Sequence, residues 1–314
     1  MKSIHLIAPS GASIDPKSPL AGIDWLKGKG ITVQNPECVH RVHERFAGSD
    51  EERLNEINHL ATLDPQNVVM AMRGGYGLHR LLPDIHWTAL AKAVNKGLQI
   101  CGHSDFTVFQ LGLLAKTGAI SLSGPMLNYD FGKLDPSGAP IPPDAFMWQQ
   151  LQTAIKERKL DCSVSATQSF LGKTVSNTLS GILWGGNLTI LAGLVGTPYL
   201  PSAQQTKNGI LFLEDVNEHP YRVERMLMQL LDSGVLANQS AILLGSFSAY
   251  RLYDNDHGYS LERAIEAIRQ RLPDSIPILT DLPFGHQSNK LTLPVGAQTH
   301  LDYSASGFTL KANW

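Results

Sequence analysis

The chain has 314 residues, 43% of them hydrophobic and 17% charged, enough apolar side chain for one large or two medium domains. A net charge of −2 with no strongly basic or acidic block argues against electrostatic capture of nucleic acid or an anionic membrane. Three widely spaced cysteines, Cys38, Cys101 and Cys162, form no CxxC, which argues against a disulfide framework or a zinc cluster.

The opening "MKSIHLIAPSG" carries an apolar run too brief for a signal peptide. No stretch approaches the roughly 20 apolar residues of a membrane span. A soluble, cytoplasmic chain is expected. "IHLIA" (4–8) reads as a buried strand, followed by the turn signal Pro9-Ser10-Gly11. Residues 19–30 read as a helix ending at glycine, and 31–34 as a second strand. Ser49 and Glu52 form a capping box at a helix start, with Leu54, Ile57 and Leu60 on one face. "NVVMAM" (67–72) and "GLQIC" (97–101) are continuous apolar runs of the kind buried parallel strands show. Strands alternating with helices at this spacing predict a doubly wound parallel α/β domain. Residues 128–165, rich in Pro, Gly and Asp at their start, read as a crossing segment that includes a helix over 147–159. The first domain is thus expected over 1–165. A strand-rich second domain follows over 166–314, with "KLTLPVGAQTHLDY" as two strands about a Val-Gly turn.

"CGHSDFT" (101–107) joins a strand to a helix whose buried face is Phe106, Phe109 and Leu113 and whose C-terminal cap is Gly118. Ligand sites in open α/β sheets lie at the carboxyl ends of strands, which is where Ser104 falls. Two readings stay open. Ser104 is a helix cap, or a nucleophile presented at an elbow, with helix amides ready for an oxyanion. The pattern is G-x-S-x-F rather than the full G-x-S-x-G. A serine nucleophile needs a base, and the base an orienting acid. His286 in "LPFGHQ" and Glu214 at the end of "GILFLEDV" are candidates; each also reads as an ordinary loop or strand-end residue. Asp105 reads as a helix cap whose amide suits an oxyanion, His103 as packing or a support behind the site residues, and Cys101 as a buried strand residue rather than a rival thiol. "MRGGYGLHRLLP" (72–83) is a second glycine loop after a strand, with neither the P-loop nor the dinucleotide pattern.

Taken together, "HLIAPSG", "RFAG", "RGGYGxxRLLPDI", "CGHSDFT", "SGPM", "LWGGNL", "GTPY", "LEDVNEHPYRVERM", "LGSF", "FGH" and "TLPVGA" resemble the LD-carboxypeptidase family, as it occurs in the cytoplasmic enzymes that trim muramoyl tetrapeptides in bacteria. The resemblance runs from residue 4 to about 300 in unbroken order. It implies a Rossmann-like N-terminal domain, like that of class I glutamine amidotransferases, and a smaller β-rich swivelling C-terminal domain. It further implies a Ser104–His286–Glu214 triad with no metal or cofactor, and oxyanion amides at Asp105 and in the glycine loop, at Gly75. The implied substrate is the murein tetrapeptide, free or sugar-linked, which loses its terminal D-alanine at the L,D bond during peptidoglycan recycling. A homodimer is what the family suggests.

A carboxypeptidase must also recognise a free carboxylate. Arg73 and Tyr76 are candidates for substrate binding and Arg80 is a further one; an ion-pair role is open for the arginines, and Arg222 and Arg225 read as a solvent face. Two rivals stand beside this reading. One is a related peptidase that cleaves peptidyl-adenylate antibiotics for self-immunity. The other is a non-catalytic muropeptide-binding protein. A glutaminase fits less well, because serine stands where a thiol is expected.

Overall fold

The computed structural model describes residues 1–166, 169–170 and 177–314; residues 167–168 and 171–176 of the expected second domain lie outside it. In chain order the strands are β1 (Ser3–Ile7), β2 (Thr32–Gln34), β3 (Val68–Ala71), β4 (Gln99–Gly102), β5 (Ser121–Ser123), β6 (Lys159–Ser165), β7 (Ser169–Phe170), β8 (Asn177–Asn187), β9 (Gly209–Val216), β10 (Gln239–Ser248), β11 (Ile278–Leu279), β12 (Leu293–Val295), β13 (Gln298–Ser304) and β14 (Gly307–Asn313). The helices are α1 (Lys17–Gly28), α2 (Asp50–His59), α3 (Trp87–Lys96), α4 (Thr107–Thr117), α5 (Ala145–Glu157), α6 (Leu188–Gly193), α7 (Pro220–Asp232) and α8 (Leu261–Arg269).

Two sheets hold the strands, in the orders β12-β5-β4-β3-β1-β2 and β6-β14-β13-β8-β9-β10-β11-β7. In the first sheet β5, β4, β3, β1 and β2 pair parallel. Alternation along β3 explains its continuous apolar run. Val69 and Ala71 pack into one core with Leu90 of α3 and Phe109 of α4. Val68 and Met70 pack into another with Leu26 of α1 and Leu151 of α5. A strand covered on both faces has no solvent side to mark with polar residues.

Among the described residues the second sheet is mixed, with four antiparallel and three parallel pairings. β9 is buried along nearly its whole length. β13 alternates exposed and buried residues, as a strand with one solvated face does. The α/β fold class expected from the sequence is thus the one observed.

Several local expectations are met in detail. Ser49 Oγ accepts from Glu52 N at 3.2 Å, and Glu52 Oε2 accepts from Ser49 N at 2.7 Å, closing the capping box. Gly118 caps α4 with φ 71°. The two strands expected about the Val-Gly turn both exist, as β12 and β13; only their common place in the strand-rich second domain needs correction. β12 runs antiparallel to β5 at the edge of the first sheet, while β13 lies between β8 and β14 in the second. Gly296, with φ 101°, makes the turn that carries the chain from one sheet to the other.

Candidate active site

The strand β4 ends at Gly102, and the chain reverses at once into a short helical turn, Ser104–Phe106, that leads into α4. Ser104 takes the left-handed conformation, φ 62°, directly after extended His103. A β-carbon there costs on the order of 1–3 kcal/mol unless the surroundings hold it. They do. Phe106 is fully buried and stacks on Phe109 at 4.9 Å. The Asp105 carboxylate accepts from Ser10 Oγ at 2.7 Å and from Leu78 N at 3.2 Å. Asp105 is therefore not the helix cap expected from the sequence, because its side chain turns back into the β1 and glycine loops. Burial pushes its carboxyl above the usual range, against those two hydrogen bonds.

Ser104, His286 and Glu214 meet, though they come from three distant parts of the chain. His286 Nε2 lies 3.1 Å from Ser104 Oγ, and its Nδ1 lies 2.7 Å from Glu214 Oε2. Glu214, near the end of β9, is completely buried. Its other oxygen accepts from Asn187 Nδ2 at 3.2 Å. A carboxylate acceptor at Nδ1 fixes the proton there and leaves the Nε2 lone pair facing the hydroxyl. This is the tautomer in which imidazole can take a proton from serine.

The backbone of the glycine loop closes against the same serine. A β-carbon on Gly74 would stand 2.7 Å from both Cβ and Oγ of Ser104 and 3.1 Å from Asp105 N. Only glycine permits this approach. A β-carbon on Gly75, φ 110°, would instead face Arg73 and Gly11. Gly74 carries no mark in the sequence beyond its position in "RGGYG".

Arg73 runs along the loop, donating to Ala12 O at 2.6 Å and standing 5.8 Å from the Tyr129 ring. Tyr76 is exposed and leans on Phe46 and Arg45. Arg80 is engaged by Asp50 at 2.8 Å, which answers to its ion-pair reading. Arg222 pairs with Glu218 on the exposed side of α7. Cys101 is buried in β4, where burial pushes its thiol up, an environment unsuited to a nucleophilic thiolate.

A second buried polar group adjoins the first. His103 Nδ1 donates to Gly124 O at 2.9 Å, and its Nε2 faces Lys290 Nζ at 3.4 Å. Lys290 in turn pairs with Asp130 at 2.8 Å, both side chains almost wholly buried. Burial first, then the Lys290 charge and His286, hold the His103 imidazole well below its ordinary value. It packs edge-on to His286 with ring centres 5.2 Å apart. Lys290 and Asp130 carried no local sequence signal; each looks like a loop residue until the fold buries it. Among the described residues, no group of three or more His, Cys, Asp or Glu is placed to hold a metal ion, and no helix is long and apolar enough to cross a membrane.

Comparison with known proteins agrees with this architecture. Residues 4–124 match the LD-carboxypeptidase N-terminal domain and residues 180–301 the LD-carboxypeptidase C-terminal domain. The murein tetrapeptide carboxypeptidase of Pseudomonas aeruginosa is 30% identical over 302 residues, covering 95% of this chain and 92% of that protein. The crystal structure of muramoyltetrapeptide carboxypeptidase from Oxalobacter formigenes superposes with a TM-score of 0.85 at 41% identity, over 100% of this chain and 99% of that one. The microcin C7 self-immunity protein MccF of Escherichia coli is 26% identical over 313 residues, covering 93% of this chain and 88% of that protein. With both halves matched and relatives spanning its full length, the chain belongs to the LD-carboxypeptidase family.

Proposed function

We propose that this chain is a serine carboxypeptidase that releases the terminal D-alanine of murein tetrapeptides, at the L,D bond after meso-diaminopimelate, and so serves peptidoglycan recycling. The observation that carries the mechanism is the line from hydroxyl to imidazole to buried carboxylate, with contacts of 3.1 and 2.7 Å. The relatives named for murein peptides favour the substrate.

In the first step Ser104 Oγ attacks the carbonyl carbon and passes its proton to His286 Nε2. Glu214 orients the imidazole and stabilises the imidazolium. The oxyanion is met by the amides of Asp105 and Gly75. The first amides of a helical turn lack intrahelical acceptors, which frees that of Asp105. The Gly74 carbonyl accepts from Gly11 N at 3.2 Å, and a planar trans peptide then turns the Gly75 N–H the opposite way. The C–N bond breaks as His286 returns the proton to the leaving amine. Water then attacks the acyl-enzyme with His286 as base, and the serine hydroxyl is restored. Arg73, on the glycine-loop side, is our candidate for a carboxylate on the acyl part of the peptide, with Tyr76 further along the same loop.

Mass spectrometry of tetra- and pentapeptide muropeptides after incubation tests the reading. Loss of one alanine from tetrapeptide alone is expected, and Ser104→Ala should abolish it with the fold intact. Near wild-type release by that variant would refute the nucleophile. The match to MccF favours a second reading, hydrolysis of peptidyl-adenylate conjugates; turnover of such a conjugate in place of tetrapeptide would establish it.

A further inference from the structure

Beside the imidazole opens a cavity of about 270 Å³, walled by His103, Tyr129, Lys133, His286, Ser288 and Lys290. That is slightly below the range of roughly 300–1,000 Å³ typical of small-molecule sites, a size suited to a single amino acid. Its buried charges are already matched. Lys290 is paired with Asp130, and His103 spends its Nδ1 proton on Gly124 O. Lys133 differs. It is exposed, its Nζ lies 3.4 Å from Ser288 Oγ, and among the described residues no carboxylate pairs with it.

The chemistry says which part of a substrate belongs here. The imidazole that takes the serine proton must hand it to the departing nitrogen, within hydrogen-bond reach of Nε2. The leaving group therefore lies on the His286 side of the serine, and the acyl group on the glycine-loop side. For a carboxypeptidase the leaving group is one amino acid with a free carboxylate, an anion that an ammonium at the cavity wall would hold. From the cavity, its position against His286 and its one uncommitted cation, we infer that this cavity seats the departing amino acid and that Lys133 binds its terminal carboxylate. This assignment rests on the peptidase reading above and adds the group that makes the enzyme act at chain ends.

The test compares the tetrapeptide with its C-terminal D-alaninamide counterpart, which keeps the scissile bond and removes the charge. Wild type should favour the acid. Lys133→Met should raise KM for the acid roughly ten- to a hundredfold, the range of a lost charged hydrogen bond, with kcat nearly unchanged. It should bring the acid-to-amide ratio of kcat/KM close to one, and Lys133→Arg should restore most of the preference. Since Lys133 is exposed, folding should be unaffected, and circular dichroism checks this. A wild-type ratio retained by Lys133→Met overturns the carboxylate assignment while leaving the peptidase reading in place. Absence of alanine release from the acid by wild type overturns that reading, and this assignment with it.

Discussion

At Ser104 a left-handed backbone meets a neighbour that only glycine can supply. The serine is held at φ 62°, and a β-carbon on Gly74 would stand 2.7 Å from its hydroxyl oxygen. Gly74→Ala would press a methyl to 2.7 Å from Ser104 Cβ, which is backbone-tethered and cannot swing away. We expect kcat to fall by about 10²–10³, the scale of a spoiled oxyanion site, with a nearly native circular dichroism spectrum. Steady-state kinetics on the proposed tetrapeptide substrate would check it, and a fully active Gly74→Ala would show that this contact is slack. Ser104 could be read from the chain because a strand-to-helix turn is a local pattern. Glu214 and His286 could not be told from ordinary strand-end and loop residues on local grounds; only the ordered family motifs separated them. Asp105 looks like a cap in the sequence because its true partners, Ser10 and Leu78, are remote along the chain.

Among the elements, β12 has the most consequence for the site. The segment before the histidine lies along β10, where Ser246 N donates to Phe284 O at 2.8 Å. Past the histidine, Leu293 pairs with Ser123 of β5. The imidazole is thus carried by a loop with one foot on each sheet. Leu293 is fully buried in the core shared by both. Leu293→Ala should lower stability by about 2–5 kcal/mol, read as a lower urea midpoint at unchanged slope. An unaltered midpoint would mean that β12 contributes no anchorage. The strands themselves were legible from apolar runs and alternation. Their assignment to sheets was not, since no local pattern in "LTLPVGAQTHLDY" says that its first strand pairs with residues 121–123.

For the whole molecule, the core decides cooperativity. Phe106 and Phe109 below the serine belong to the same apolar cluster as Trp184 and Phe212 of the second sheet and Phe284 of the loop beside it. Thermal unfolding at pH 7.5 should therefore be one transition, with far-ultraviolet dichroism and tryptophan fluorescence coincident. The depressed His103 imidazole adds a pH dependence whose sign follows from that depression. Its folded value is depressed by burial, Lys290 and His286, so the unfolded chain binds a proton that the native one refuses. Stability is then complete above about pH 6.5 and declines as pH falls below it. The raised carboxyls of Asp105 and Asp215 act in the opposite sense, from the carboxylate range upward. Tm should drop between pH 7.5 and 5.5, and His103→Asn, which has no such proton to gain, should drop less. Equal declines in the two proteins would remove His103 from the account.

The two-footed loop links occupancy to rigidity. Any fluctuation that parts the sheets lengthens the path from residue 284 to residue 293 and draws the imidazole off the hydroxyl. A molecule that bridges hydroxyl and imidazole resists the same parting, and by mass action its binding shows as added heat resistance of the entire chain. Inhibitors of this protein are thus discoverable by melting curves alone, before any substrate is in hand.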